Sequence, residues 1–347
     1  VLLPPRKSAK KAASHGKRSH VAAAAGPPLE SAELLSGIKE VQTLMAQDRL
    51  LAAGALLERV KAGITLSPGE QKSMRASAEL GPWSDKLAAR YSTLNERIAS
   101  LMNDGDGTSA WKSVFDRGGT RTFVKRETGS SLLQIKCESD LSGMRFEHFL
   151  ATARETHLYH TWFPNTQTSE TLQKASRLER VFRNVQCVKL PLVAEIRYDV
   201  LLHCFACDAM EERGFFVVSG RSPSQADLPD VPFPPPESGK RIPLDGLVVI
   251  LEPDLSAGAE RMKATMQISF DESRMPMPRW VIDFVASAVV SRIFTSQADK
   301  ARDLQKSQAP EHADAIAADP DFYANWLPAR VDELRARDVQ TRYSLQR

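Results

Sequence analysis

Between Leu34 and Met102 the apolar residues recur at intervals of three and four, the period of helices with one buried side. Ile38, Val41, Leu44 and Met45 make one such face, and Leu50, Ala53, Leu56, Leu57 and Val60 a second, followed by Gly63. Ser67-Pro68-Gly69-Glu70 has the make-up of a helix start: a capping residue, proline at the first position, an acid in the first turn. Leu87, Tyr91, Leu94, Ile98 and Leu101 extend the pattern, so three or four short helices stacked as hairpins are predicted. Asn103-Asp104-Gly105-Asp106-Gly107 then reads as a hinge.

Beyond the hinge the period changes to two. Thr120–Arg126 and Leu132–Ser139 read as strands joined at Thr128-Gly129-Ser130, the second with Leu133, Ile135 and Cys137 on one face. Gly143–Glu155 reads as a helix with Met144, Phe146, Phe149, Leu150 and Ala153 on its apolar side. Further strands are predicted at Asn165–Ala175, Leu178–Lys189, Glu195–Cys207, Gly214–Ser219, Gly246–Leu251 and Met262–Phe270. A proline-rich loop, Ser222–Pro243, is too long for a hairpin turn. Met277–Lys300 is predicted as a long helix on which Asp283, Ser287, Ser291 and Thr295 form one narrow polar stripe. A helix apolar over so much of its girth has to be covered on more than one side. Asp319–Val339 carries one more amphipathic helix, with Phe322, Tyr323, Trp326 and Leu334.

Composition changes this picture little. Hydrophobic residues are 42% and charged residues 26% of the 347, and the net charge is only +3, so no nucleic-acid partner is implied. The basic residues Arg6, Lys7, Lys10, Lys11, Lys17 and Arg18 lie in a stretch with no acid up to Leu29. That stretch is too poor in apolar surface to offset its ordering entropy, and is expected to be a disordered tail. A transit peptide, a nuclear signal, a tether to anionic lipid and a plain flexible tail all remain open for it. The expected location is cytoplasmic or membrane-peripheral, with organelle targeting by this tail as an alternative. The four cysteines, Cys137, Cys187, Cys204 and Cys207, point away from a disulfide scaffold. Cys204 and Cys207 fall on a strand, where residues three apart face opposite ways, so neither metal nor redox chemistry is expected of them. The histidines show no metal-ligand spacing, and no metal or cofactor is expected. The most apolar run, Trp280–Phe294, is interrupted by Asp283 and Arg292 and falls short of the ~20 residues of a membrane span.

The order of two strands, a helix, about six strands and one long helix resembles the helix-grip fold of the START (StAR-related lipid transfer) and polyketide-cyclase-like superfamily. Trp111, Val114 and Phe115 look like the short helix that opens a START domain. His157–Pro164, with Tyr159, Trp162 and Phe163, resembles the aromatic segment after the second helix. Leu190-Pro191-Leu192, the long strand after it, Glu211–Gly214 and Phe215–Ser222 resemble the central hairpin. Met275-Pro276-Met277-Pro278-Arg279-Trp280 resembles the approach to the C-terminal helix. The family's mid-chain tryptophan–aspartate pair is replaced here by His160-Thr161-Trp162-Phe163-Pro164. The likeness spans about Trp111 to Lys300 and implies an α+β domain whose curved antiparallel sheet is closed over a cavity by the long helix. The expected divisions are a basic tail at 1–30, a helical region at 31–104, a START-like domain at 108–303, and a polar linker with a C-terminal helix at 304–347.

The resemblance implies binding, transfer or sensing of a lipid without catalysis. Met266, Ile268 and Phe270 of the last strand, Trp280, Phe284, Ala288 and Val289 of the long helix, and Phe149 are the candidate lining residues. Arg197 and His203 share a strand face that would meet a lipid head group if it turned inward, although the cost of burying unpaired charge favours the outward orientation. The proline-rich loop and Pro276–Trp280 are the expected gate, with Phe233 as a transient membrane contact. Two other readings compete. One is a cyclase-type enzyme, for which Arg197, Asp199 and His203 are the only convergent acid–base candidates. The other is an adaptor that binds a protein partner through residues 31–104.

Overall fold

A computed structural model of the chain describes residues 26–103, 111–126, 129–189, 195–236, 241–256, 260–274 and 279–345. Most of the basic tail, the hinge beyond Asn103, Leu190-Pro191-Leu192 and the approach Met275–Pro278 lie outside the described residues.

Four helices come first: α1 (Leu34–Ala46), α2 (Leu50–Leu66), α3 (Gln71–Glu79) and α4 (Pro82–Asn103). Among these four, the helix that begins on a proline is α4, at Gly81-Pro82; α3 starts only at Gln71, after the Ser67–Glu70 segment. Then come β1 (Lys112–Arg117), β2 (Thr120–Arg126), β3 (Leu132–Ser142), α5 (Phe146–Arg154) and a 3-10 helix, Thr156–Thr161. β4 (Thr166–Ser176), β5 (Glu179–Val188), β6 (Ile196–Ala209), the short α6 (Met210–Arg213), β7 (Phe215–Arg221), β8 (Gly246–Pro253) and β9 (Arg261–Asp271) follow. Among the described residues these strands form one nine-stranded sheet in the order β1-β2-β3-β9-β8-β7-β6-β5-β4. Every neighbouring pair is antiparallel. The chain lays down three strands, crosses by α5 to the far edge, and returns strand by strand until β9 docks beside β3.

The Trp111–Phe115 segment is not the short helix that the resemblance suggested: Lys112–Arg117 is a strand paired with β2. The cause is the two-residue turn Gly118-Gly119, with φ of +62° and +80°. Two positive φ values in succession build the tight hairpin whose twist suits its strands.

The sheet is covered on both faces. Outside, α2 and α4 pack on Cys207, Ala209, Phe215, Val217, Val248 and Ile250, so the N-terminal helices and the sheet share one core. α4 also sends Arg97 to the sheet, where its Nη1 donates to Ser219 Oγ at 2.6 Å and to the backbone oxygens of Gly220 and Leu247 at 2.8 and 3.1 Å. Inside lies a 27-residue helix, Arg279–Gln305. It consists of α7 (Arg279–Val285), a π-helical turn at Ala286–Val290 and α8 (Ser291–Gln305). By length and composition alone it would suffice to cross a membrane, a longer span than the sequence pattern suggested, but it rests on the inner face of the sheet. Then follow α9 (Pro310–Ala317), a second π-helical turn at Asp321–Trp326 and α10 (Leu327–Leu345). Phe322, Leu327, Val331 and Leu334 of this tail join the inner core with Met210 and Phe216. The architecture is a helix-grip fold with an extra helical layer outside it.

Candidate ligand cavity

Side chains alternate between the two faces of a strand, so each strand here gives one row to each layer. The inner rows and the long helix do not meet everywhere. Between them is a cavity of about 260 Å³. Its floor is the inner row of β9, β8 and β6; its roof includes Ile282, Val285, Val289 and Ile293; and Phe149 of α5 stands at one side. Tyr159, Trp162 and Phe163 wall another side, and Tyr159 stacks on Phe163 with ring centroids 5.8 Å apart.

Of the residues singled out from sequence, Phe149, Met266, Ile268, Phe270 and Val289 line this space. The others do not. Arg197 is exposed and pairs with Glu195 at 2.8 Å. His203 is on the outer face, its Nε2 2.8 Å from Glu179 Oε1, a carboxylate that also takes Arg90 of α4. Burial would raise the Glu179 carboxyl, but the His203 and Arg90 bonds hold it down to about 2. The charged row of β6 thus points outward, where His203 meets Glu179 of β5 and, through it, Arg90 of α4. Trp280 is 52% exposed at the head of α7. Phe284 is half-buried beside Val281 and Ile242, and Ala288 is half-buried outside the lining. A helix apolar on most sides does not announce which side meets the void, and these residues fall on its flanks.

The loop after β7 is not a free flap at its described residues. Phe233 is half-buried against Val181, Leu201 and Val231 on the outer face of the sheet, not held out as an anchor. Asp199, fully buried, accepts from Arg183 Nε at 2.7 Å and from Arg241 Nε and Nη2 at 3.0 Å. Arg241 in turn donates to Pro234 O at 2.8 Å, which fastens the loop. Asp199 is therefore a structural anchor on the outer face, away from the cavity.

Polar groups in the cavity wall went unnoticed in the sequence. On β5 the inner row is Arg180, Phe182, Asn184 and Gln186, while Val181 and Val185 face outward. The alternation was visible, but its direction was not, because the outer face of β5 is also covered. Tyr198 donates to Gln186 Oε1 at 2.8 Å, Tyr159 to Ala153 O at 2.7 Å, and Gln297 Nε2 to Phe149 O at 3.2 Å. Both tyrosine hydroxyls are pushed up by burial. Burial pushes the Cys204 thiol, which faces the cavity, up to about 12, and does the same to Cys207 in the opposite layer. At one end stand Arg154 and Arg177. Arg154 donates to Glu155 at 2.8 Å and Asp319 at 2.7 Å and stacks 3.9 Å from the Phe322 ring. Arg177 donates to Asp48 at 2.6 Å and lies 4.7 Å from the Trp326 ring. The C-terminal tail and the N-terminal helices thus meet at this end of the cavity.

Fold and hollow together define the class: a helix-grip protein with an internal apolar cavity. No protein-family model and no curated protein matches the sequence. Solved structures resemble it in architecture. Human STARD10 superposes with a TM-score of 0.48 at 12% identity, covering 62% of this chain and 82% of that one. Human StAR-related lipid transfer protein 5 gives 0.48 at 15%, covering 62% and 99%. A STAR-related lipid transfer protein from Xanthomonas axonopodis gives 0.43 at 19%, covering 56% and 99%. At such identities only the general fold is shared, and what this chain binds follows from its own side chains.

Proposed function

We propose that this protein binds a lipid in the cavity beneath α7–α8, to carry or sense it without changing it covalently. The observation that carries this reading is the chemistry of the wall. Aliphatic and aromatic side chains from six strands and the long helix surround about 260 Å³ of space. Transfer of apolar surface from water into such a site is favourable by ~25 cal/mol per Å². Among the described residues that line it, none is Asp, Glu, His or Lys. That wall supports binding over acid–base catalysis, since a cyclase-type reaction needs a convergent proton acceptor and donor. Exchange with a membrane would use the exposed Trp280 at the head of α7 as the contact.

Native mass spectrometry of the purified full chain, with extraction of bound lipids, tests the reading. The expected result is a co-purifying lipid, displaced in Val218→Trp, which fills the cavity from β7. A chain that comes out empty and takes up nothing from a lipid panel would overturn it.

A further inference from the structure

Three polar side chains in the cavity wall have hydrogen-bonding capacity that the described residues leave unused. Arg180 is 6% exposed, and its Nη1 donates only to the backbone oxygens of Ser176 and, at 3.0 Å, Glu179. Its neighbours Arg154 and Arg177 each have a carboxylate, whereas among the described residues none lies within ion-pair distance of Arg180. Burial and the charge of Arg154 both work against its cation, and the more distant Glu155 and Asp319 offset them only in part. Four residues along the same row, Asn184 is 4% exposed with its Oδ1 unbonded. The buried Trp162 Nε1–H, also in the wall, has no acceptor.

A buried cation without a counter-ion at ion-pair distance is costly, and so is an unpaired buried amide oxygen or indole N–H. All three groups line a space large enough for a guest. The free N–H groups of a guanidinium suit one partner above others, a planar two-oxygen anion. The volume favours a slender guest: about 260 Å³ lies below the ~300–1,000 Å³ of common ligand pockets.

We propose that the cavity selects a single-chain lipid carrying a carboxylate, bound at its head by Arg180, with the Trp162 Nε1–H available to donate to a further ligand oxygen and Asn184 Oδ1 to accept from a ligand hydroxyl. This rests on the lipid-binding reading above and names the ligand class within it.

The test compares hexadecanoic acid with hexadecan-1-ol by titration calorimetry on the delipidated full chain. The expected result is at least tenfold tighter binding of the acid, an advantage that disappears as the acid is protonated. Arg180→Gln is expected to lower affinity for the acid at least tenfold and to change that for the alcohol less than twofold. Arg180→Lys, which keeps the charge but not the fork, is expected to fall between. Thermal melts check that the variants fold, and the wild-type comparison decides the matter if they do not. Equal affinity for acid and alcohol, or an unchanged acid affinity in Arg180→Gln, overturns the carboxylate assignment while lipid binding stands. Tighter binding of a lysophosphatidic acid than of the fatty acid overturns it in favour of a phosphate head. Binding of neither ligand, nor of any other lipid, overturns both this inference and the reading beneath it.

Discussion

His312 of α9 is 1% exposed, and its Nε2 has no hydrogen-bond partner among the described residues. Burial, helped by the charge of Lys300, lowers its pKa to about 4. The unfolded histidine titrates near ~6.5. Between those values the unfolded chain takes up a proton that the folded chain refuses, so stability falls as pH drops from about 6.5 to about 4. The gap corresponds to at most ~3 kcal/mol. Glu179 acts in a lower window. Its depressed carboxyl adds stability above the unfolded value of ~4.5, and that stability is lost as pH falls towards 2. Urea midpoints measured from pH 7 to pH 4 should therefore decline in the wild type and decline less in His312→Gln. Parallel curves for the two proteins would show that another group controls this range. Neither residue could be assigned from sequence, since a histidine or glutamate in an amphipathic segment says nothing about which neighbour the fold will bring to it.

Among the elements, the outer helices show how local packing sets a docking distance. Gly54 of α2 sits where a Cβ would come within 2.3 Å of Tyr91 Cγ on α4. Adding even one methyl pushes apart two helices that share a core with β6–β8. Gly54→Ala is expected to cost ~1–3 kcal/mol, measurable as a lower urea midpoint, and Gly54→Ala/Tyr91→Ala to lose less than the sum of the two single variants. Full additivity in the double variant would mean that the contact is not the cause. The strands were legible wherever one face was apolar and the other polar, as in β3 and β9. β5 was found, but its inward row was not, because its outward row is apolar too, with Val181 spent under the proline-rich loop. The long helix was likewise found, but of its roof residues only Val289 was: the π-helical turn at Ala286–Val290 lies over the cavity and interrupts the regular period from which a face is inferred. The Gly118-Gly119 hairpin was a readable signal that the resemblance obscured.

At the scale of the molecule, the sheet is the middle of three layers. The region 31–104, a candidate adaptor by sequence, spends its apolar faces on Phe215, Val217, Val248 and Ile250. A chain beginning after Asn103 is therefore expected to expose that surface and to elute as aggregate on size exclusion, with strong binding of a hydrophobic dye. A soluble, cooperatively melting fragment would instead make the helices a separable module. The cavity depends on both chain ends, since Arg154 and Arg177 in its wall are held by Asp319 of the tail and Asp48 of the loop after α1.

The chain's own pattern determined the order of its elements, the change of period after Asn103 and the burial of the last long helix. These are consequences of local periodicity, which each segment carries within itself. Only the tertiary structure decided which row of β5 faces inward, that Arg197 and His203 face away from the cavity, and that a cavity remains at all. Those outcomes depend on how closely distant segments approach, and a void is the space left by side chains that no single segment contains.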